Sequence, residues 1–155
     1  MPRVIPDGEV RIAWATALAS ASAPTTAELN SGTDLTPWLQ SLDTPLEGDA
    51  VDAGDLSTAF RKNVAGKFGG GASAEMYRDD TTDTAFALFP RNTTGYLIIR
   101  RFGGSTTSWT SGDEVETWNV RVITRSPATL DQNTVQTFSV DFATIDEPDL
   151  DATVA

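Results

Sequence analysis

The chain has 155 residues, no cysteine, no histidine and a formal net charge of −11 from 22 acidic and 11 basic residues. That excludes a disulfide framework, thiolate or imidazole metal sites and the commonest general base. It also excludes an outer surface that grips nucleic acid through clustered Lys and Arg, though not a surface that nucleic acid slides past.

Residues 1–9 hold two prolines and a glycine and read as an extended N-terminal arm. No apolar segment of the secretory kind opens the chain, so no leader is expected. Val10 to Ala15 predicts a first strand. Pro24 to Asn30 predicts a short helix ended by Gly32, because Pro is tolerated in a first turn and Gly at an exit. Asp34 to Leu39 is short, and Pro37 confines it to an edge. Residues 40–67 predict a long loop with at most a brief strand near Ala50 to Leu56. Its charges are sorted. Asp43, Glu47, Asp49, Asp52 and Asp55 come first, and Arg61, Lys62 and Lys67 follow.

Phe68 to Arg78 predicts a glycine-rich strand. Asp79, Asp80 and Asp83 then gather short acidic side chains where a helix begins, and helix capping explains them best. Ala85 to Phe89 gives that helix an apolar face, and Pro90 with Asn92 ends it. Gly95 to Gly104 is a β-branched, aromatic run fenced by glycines and predicts a strand. Glu114 to Arg125 and Thr134 to Ile145 predict an antiparallel pair joined by residues 126–133. Phe138, Val140 and Phe142 fall on one face, toward the core; Thr137, Ser139 and Asp141 fall on the other. Residues 146–155 read as an acidic, unpatterned tail. The expected architecture is a single domain over 1–155, mainly β. It has two packed antiparallel sheets, as a β-sandwich or flattened barrel, with one short α-helix and a long loop.

Chemical motifs are weak. Asp49, Asp52 and Asp55 lack the spacing and closing Glu of a calcium loop. Gly69-Gly70-Gly71 lacks the Lys-Ser/Thr of a phosphate loop. Ser and Thr are plentiful, but no histidine activates them. The apolar run Leu97-Ile98-Ile99 is too short to cross a bilayer. No enzyme, cofactor or metal is expected.

The order of the blocks carries a family resemblance. Ala23-Pro24-Thr25-Thr26-Ala27-Glu28-Leu29-Asn30-Ser31-Gly32 is the first. Tyr77-Arg78-Asp79-Asp80-Thr81-Thr82-Asp83-Thr84-Ala85 and the run Gly95 to Gly104 follow. Gly112 to Val120, Thr134 to Val140 and Glu147 to Ala155 complete it. The chain resembles the major tail tube protein of long, non-contractile-tailed bacteriophages. The resemblance implies a virion protein, synthesised in the host cytoplasm, that forms six-membered rings stacked into a hollow tube. Neighbouring subunits would join their inner sheets into one β-barrel around the lumen. It implies a tape measure protein inside the tube, tail terminator and tail tip proteins at its ends, and DNA passing without specific binding. No membrane contact is implied.

On that reading Glu75, Ser139 and Asp141 are the expected lumen-facing positions. The long loop would lie between rings, with Asp49, Asp52 and Asp55 meeting Arg61, Lys62 and Lys67 of another copy. The alternative is a β-sandwich capsid decoration or adhesion module, which would not polymerise. An enzyme with paired carboxylates across a cleft has no motif to support it.

Overall fold

The computed structural model describes residues 3, 5–102 and 108–155. Nine strands and two short helices are described: β1 Arg11–Ala15, α1 Thr26–Ser31, β2 Thr33–Asp34, β3 Leu39–Asp43, β4 Leu46–Asp52, β5 Asn63–Tyr77, α2 Thr84–Leu88, β6 Thr94–Arg100, β7 Glu114–Pro127, β8 Thr137–Thr144 and β9 Asp149–Thr153. The strands run in the order β2-β1-β6-β7-β8-β5-β3, each neighbour antiparallel. β9 continues β8's edge of β7, and β4 continues β3's edge of β5.

This is one nine-stranded sheet rather than two separate ones, and it does not close into a barrel. It nevertheless makes two layers by curling. Trp14 on β1 and Phe142 on β8 have ring centroids 6.0 Å apart although β6 and β7 lie between them in the sheet. A flat sheet would separate those strands by roughly 14 Å. The chain crosses between the sheet's two ends in a few residues, with the Leu35 N–H on the Ile12 carbonyl and the Tyr77 N–H on the Trp38 carbonyl.

The curl is driven by alternation. Ala72, Ala74 and Met76 on β5 point inward with Val120 and Val122 on β7 and Phe138, Val140 and Phe142 on β8. They meet Ile12, Trp14, Leu97 and Ile99 from the other end of the sheet, and Phe89 beyond α2. The inward face expected for β8 is the observed one.

A second, smaller cluster lies on the opposite face. Ala13, Ala15, Ile98 and Val115 pack there against Leu29 of α1, Trp109, Ala152 and Val154. α1 begins at a capping box, with Glu28 N–H on Thr25 Oγ1 (3.2 Å) and Thr25 N–H on Glu28 Oε2 (2.9 Å). Gly32 ends it, for a reason the sequence does not display. Its backbone is extended, but an added Cβ would lie 2.6 Å from the Trp14 carbonyl oxygen.

Three stretches differ from expectation. Residues 40–67 are mostly paired strand, and only 53–62 form a loop. β4 is exposed at every position, so it carries no two-residue burial pattern, and its pairing with β5 decides its structure. The acidic tail holds β9, where Ala152 and Val154 are buried too briefly to show a period. At the N-terminus, a turn with Glu9 and Val10 N–H on the Pro6 carbonyl interrupts the expected arm.

Candidate functional site

Registers on β3, β5, β8 and β7 build a bare polar half-sheet. Ser41 lies opposite Glu75, Glu75 opposite Ser139, and Ser139 opposite Ser126. Two residues along, Asp43 lies opposite Ser73, Ser73 opposite Asp141, and Asp141 opposite Thr124. Directly opposed residues share a face, so these are two transverse rows on the side away from the core. Glu75 and Asp141 are exposed and Ser139 is half-buried. Thr124 Oγ1 donates to Asp141 Oδ2 (3.2 Å). Arg121 follows one row on, opposite Ala143. Nothing covers this half, whereas α1, Trp109 and β9 cover the β1–β6 half of the same face. The three expected lumen positions therefore lie together. Their row-mates Ser41, Asp43, Ser73, Thr124 and Ser126 escaped sequence reading, because pairing register across strands is not written in any one strand.

The second feature is a projecting arm formed by β4, the start of β5 and the loop between them. Leu56 (108% exposed), Phe60 (79%) and Phe68 (56%) lie on it, with Val51 and Val64 directly opposite each other. Large apolar groups this exposed, and grouped, mark an interaction surface.

The sorted charges sit here too. Asp49 and Asp52 are on β4, Asp55, Arg61 and Lys62 on the loop, and Lys67 on β5. The acidic strand thus lies antiparallel against the basic one within a single copy. Even so, no ion pair joins them among the described residues. Asp52 Oδ1 accepts from Gly54 N–H (2.9 Å). Asp55 Oδ1 accepts from the Ser57 hydroxyl and its N–H, which holds its carboxyl below the usual range.

The three aspartates expected as caps work otherwise. Asp83 occupies the N-cap position, but its backbone is left-handed (φ 47°) and its side chain makes no cap bond. Its carboxylate turns back to Arg78 Nη2 (2.6 Å) and the Asp79 N–H (3.2 Å). Burial raises the Asp83 pKa, but the Arg78 bond, the Asp79 N–H and the charges of Arg78 and Arg125 outweigh it and leave the group below its ordinary value. Asp79 accepts from Trp38 Nε1 (2.7 Å), tying β3's start to this turn, and Asp80 accepts from Thr81. α2 is held instead by stacking: the Arg78 and Arg125 guanidiniums lie 3.8 and 3.9 Å from the Phe86 ring centre. In the αL conformation a side chain is aimed away from the first helical N–H groups, so the cation-rich surroundings take the carboxylate.

A cleft of about 790 Å³ opens where the curled sheet fails to close, lined by Val10, Ile12, Leu39, Leu42 and Ile99 with Arg101. Among the described residues no three metal-ligating side chains converge, and no helix is long and apolar enough to cross a membrane.

A family model described as phage tail tube protein matches residues 1–155. The chain belongs to that family. It is therefore a structural protein of the phage tail, and its place is the virion. Its fold is similar to the SPP1 tail tube (TM-score 0.65, 10% identity, covering 98% of this chain and 81% of that one). It is also similar to the tail of the empty gene transfer agent particle, refined with C6 symmetry (TM-score 0.60, 12% identity, 97% and 100% covered). A third likeness is to the sheath–tube complex of an extracellular contractile injection system (TM-score 0.61, 9% identity, 96% and 91% covered). No curated protein sequence matches the chain.

Proposed function

We propose that this tail tube subunit forms six-membered rings that stack into a hollow tube, with the bare half-sheet of β3, β5, β8 and β7 as the lumen wall. The observation that carries this reading is the uneven covering of one sheet face. One half is roofed by α1, Trp109 and β9; the other presents only short polar and acidic side chains, with Arg121 at its end. A wall of that composition repels phosphate and offers no aromatic platform for bases. Glu75, Ser139 and Asp141 would line it, and DNA would pass without specific binding. Charges beyond about 10 Å are screened, so the acids on this wall matter and the rest of the net charge does not.

The arm fits the contact between successive rings. There its apolar tip would be buried, and Asp49, Asp52 and Asp55 would approach Arg61, Lys62 and Lys67 of another copy. A tape measure protein within the lumen and terminator and tip proteins at the ends complete the assembly. The protein would act without catalysis or cofactor.

Ser139→Cys tests the wall, since the chain has no cysteine of its own. Negative-stain microscopy of concentrated protein should show tubes with a channel. In them the introduced thiol should react with a small maleimide and resist one carrying a bulky polyethylene glycol. Equal reaction with both places Ser139 outside the lumen, and persistent monomers favour a decoration module instead.

A further inference from the structure

The lumen wall read above has two ends, and both are open. β3 pairs with β5 alone, so the other edge of Leu39–Asp43 carries no strand. At the far end, β6 and the turn before it cover β7 only as far as Val122. There the Asn92 N–H donates to the Val122 carbonyl (2.9 Å) and the Val122 N–H to the Thr93 carbonyl (2.9 Å). Beyond that point the same edge of β7, to Pro127, has no strand partner among the described residues. The register shift between Val122 and Thr124 marks where β7 leaves β6 behind.

Symmetry limits what these edges can meet. A cyclic ring needs a head-to-tail contact, in which one edge of a copy meets a different edge of the next. Pairing β3 with β3 would give a two-fold dimer and stop. Within the bare half-sheet, β3 and the end of β7 are the two different edges available. Their directions also agree. β7, β8, β5 and β3 alternate, so the β7 of a following copy runs antiparallel to β3. Four strands per copy is an even number, and the alternation continues across every junction. An odd number would force a parallel step at each seam. Pro127, which has no N–H, stands at the end of the free segment, where an edge tolerates it. Finally, β3 forms one wall of the 790 Å³ cleft, through Leu39, Gln40, Ser41 and Leu42. A strand added to β3 would extend the sheet beside its mouth.

We propose that ring neighbours are joined by antiparallel pairing of β3 Leu39–Asp43 of one copy with the Ile123–Pro127 end of β7 of the next. The wall then becomes one continuous sheet, and no long edge is left to pair at random. The seam rests on the tube reading, and the test separates the two.

Ser41 and Ser126 share the bare face, and β8 and β5 lie between them in one chain. Three strand spacings, roughly 14 Å, exceed the 4.4–6.8 Å Cα separation of a disulfide, so a bond between them must join two copies. Tubes of the full chain carrying Ser41→Cys and Ser126→Cys, or Ser41→Cys and Thr124→Cys to bracket the register, are oxidised and run on a non-reducing gel. A ladder ending at the hexamer is expected from one of the pairs, and monomer alone from Ser41→Cys. Dimers from Ser41→Cys alone would mean that β3 meets β3, and would overturn the seam. Tubes that give no ladder with either pair overturn it while leaving the tube reading intact. Hydrogen exchange on the unaltered chain supplies a check free of variants. Amides in 39–43 and 124–126 should lose their fast exchange when monomers become tubes, and continued fast exchange in tubes overturns the seam. If the unaltered chain makes no tubes, the tube reading fails first and the seam with it.

Discussion

Trp14 on β1 packs edge-on against Phe89, with ring centroids 5.0 Å apart at 79°, across the interior that the curled sheet encloses. Phe89 in turn meets Phe142 on β8 edge-on at 5.5 Å. One aromatic ring therefore bridges the two layers, and it comes from the residue just after α2 rather than from a strand.

Phe89→Ala should cost about 3–5 kcal/mol, the usual range for emptying a buried aromatic site. Phe86 sits half-buried between guanidiniums and the Phe138 edge, at 5.1 Å. Phe86→Ala should cost less, because much of its site stays open to water. Urea midpoints of the two variants at equal slope rank them. Equal losses would mean that α2 and the turn after it pack as one apolar plug.

Glycine positions separate packing from freedom. At Gly95 an added Cβ would lie 2.5 Å from the Trp14 ring and 2.9 Å from the Ala15 carbonyl oxygen, while at Gly69 it meets nothing within 4 Å. Gly95→Ala should destabilise the monomer by about 1–3 kcal/mol, as overpacking does. Gly69→Ala should leave it unchanged. Thermal melts of both variants check this, and a large loss at Gly69 would contradict the open space there.

Glu28 fixes the loop before α1 by accepting the Thr25 and Ala19 N–H groups, which hold its carboxyl below the ordinary value of 4.5. A depressed carboxyl stabilises the fold above its unfolded pKa and loses that effect as pH falls through the lower folded value. Glu28→Gln should therefore be less stable than the parent at neutral pH, with the gap narrowing below pH 4.5. Asp83→Asn should behave alike. Denaturation midpoints followed from neutral to acid pH read this directly, and a gap that widens on acidification has the wrong sign.

What the sequence made legible was whatever depended on one strand or one turn. Phe138, Val140 and Phe142 announce their face by alternation, and Thr25 with Glu28 announces a cap by spacing. The placement of Glu75, Ser139 and Asp141 on one face followed from alternation along two separate strands. What stayed hidden depended on pairing. Ser41 and Asp43 join the same rows only through β5, inside a stretch that reads as loop because Pro45, Gly48 and four acids between 43 and 52 depress strand propensity. Ala152 and Val154 look like the end of an acidic tail until β7 gives them a partner. The Asp83 cap failed for a local reason, since a left-handed backbone beside Arg78 sends the carboxylate elsewhere.

The sorted charges of the arm remain to be divided between two roles. β4 and β5 set acids against bases within one hairpin, so attraction inside a copy accounts for the sorting as well as attraction between rings does. Exposed pairs contribute only about 0–1 kcal/mol each, and either role weakens with salt. Single reversals therefore cannot tell them apart, but mixing can. A chain with Arg61→Glu and Lys62→Glu has a wholly acidic loop; one with Asp52→Lys and Asp55→Lys has a wholly basic one. If rings meet through these charges, neither variant should extend tubes alone at low salt, because like charges face each other at every junction. An equimolar mixture should then extend them, with the two chains in equal amounts in the pelleted tubes. If the charges act only inside each hairpin, mixing brings no rescue, since every arm carries its own defect. Sedimentation of the mixture against each variant, repeated at high salt, decides between contact across rings and contact within one arm.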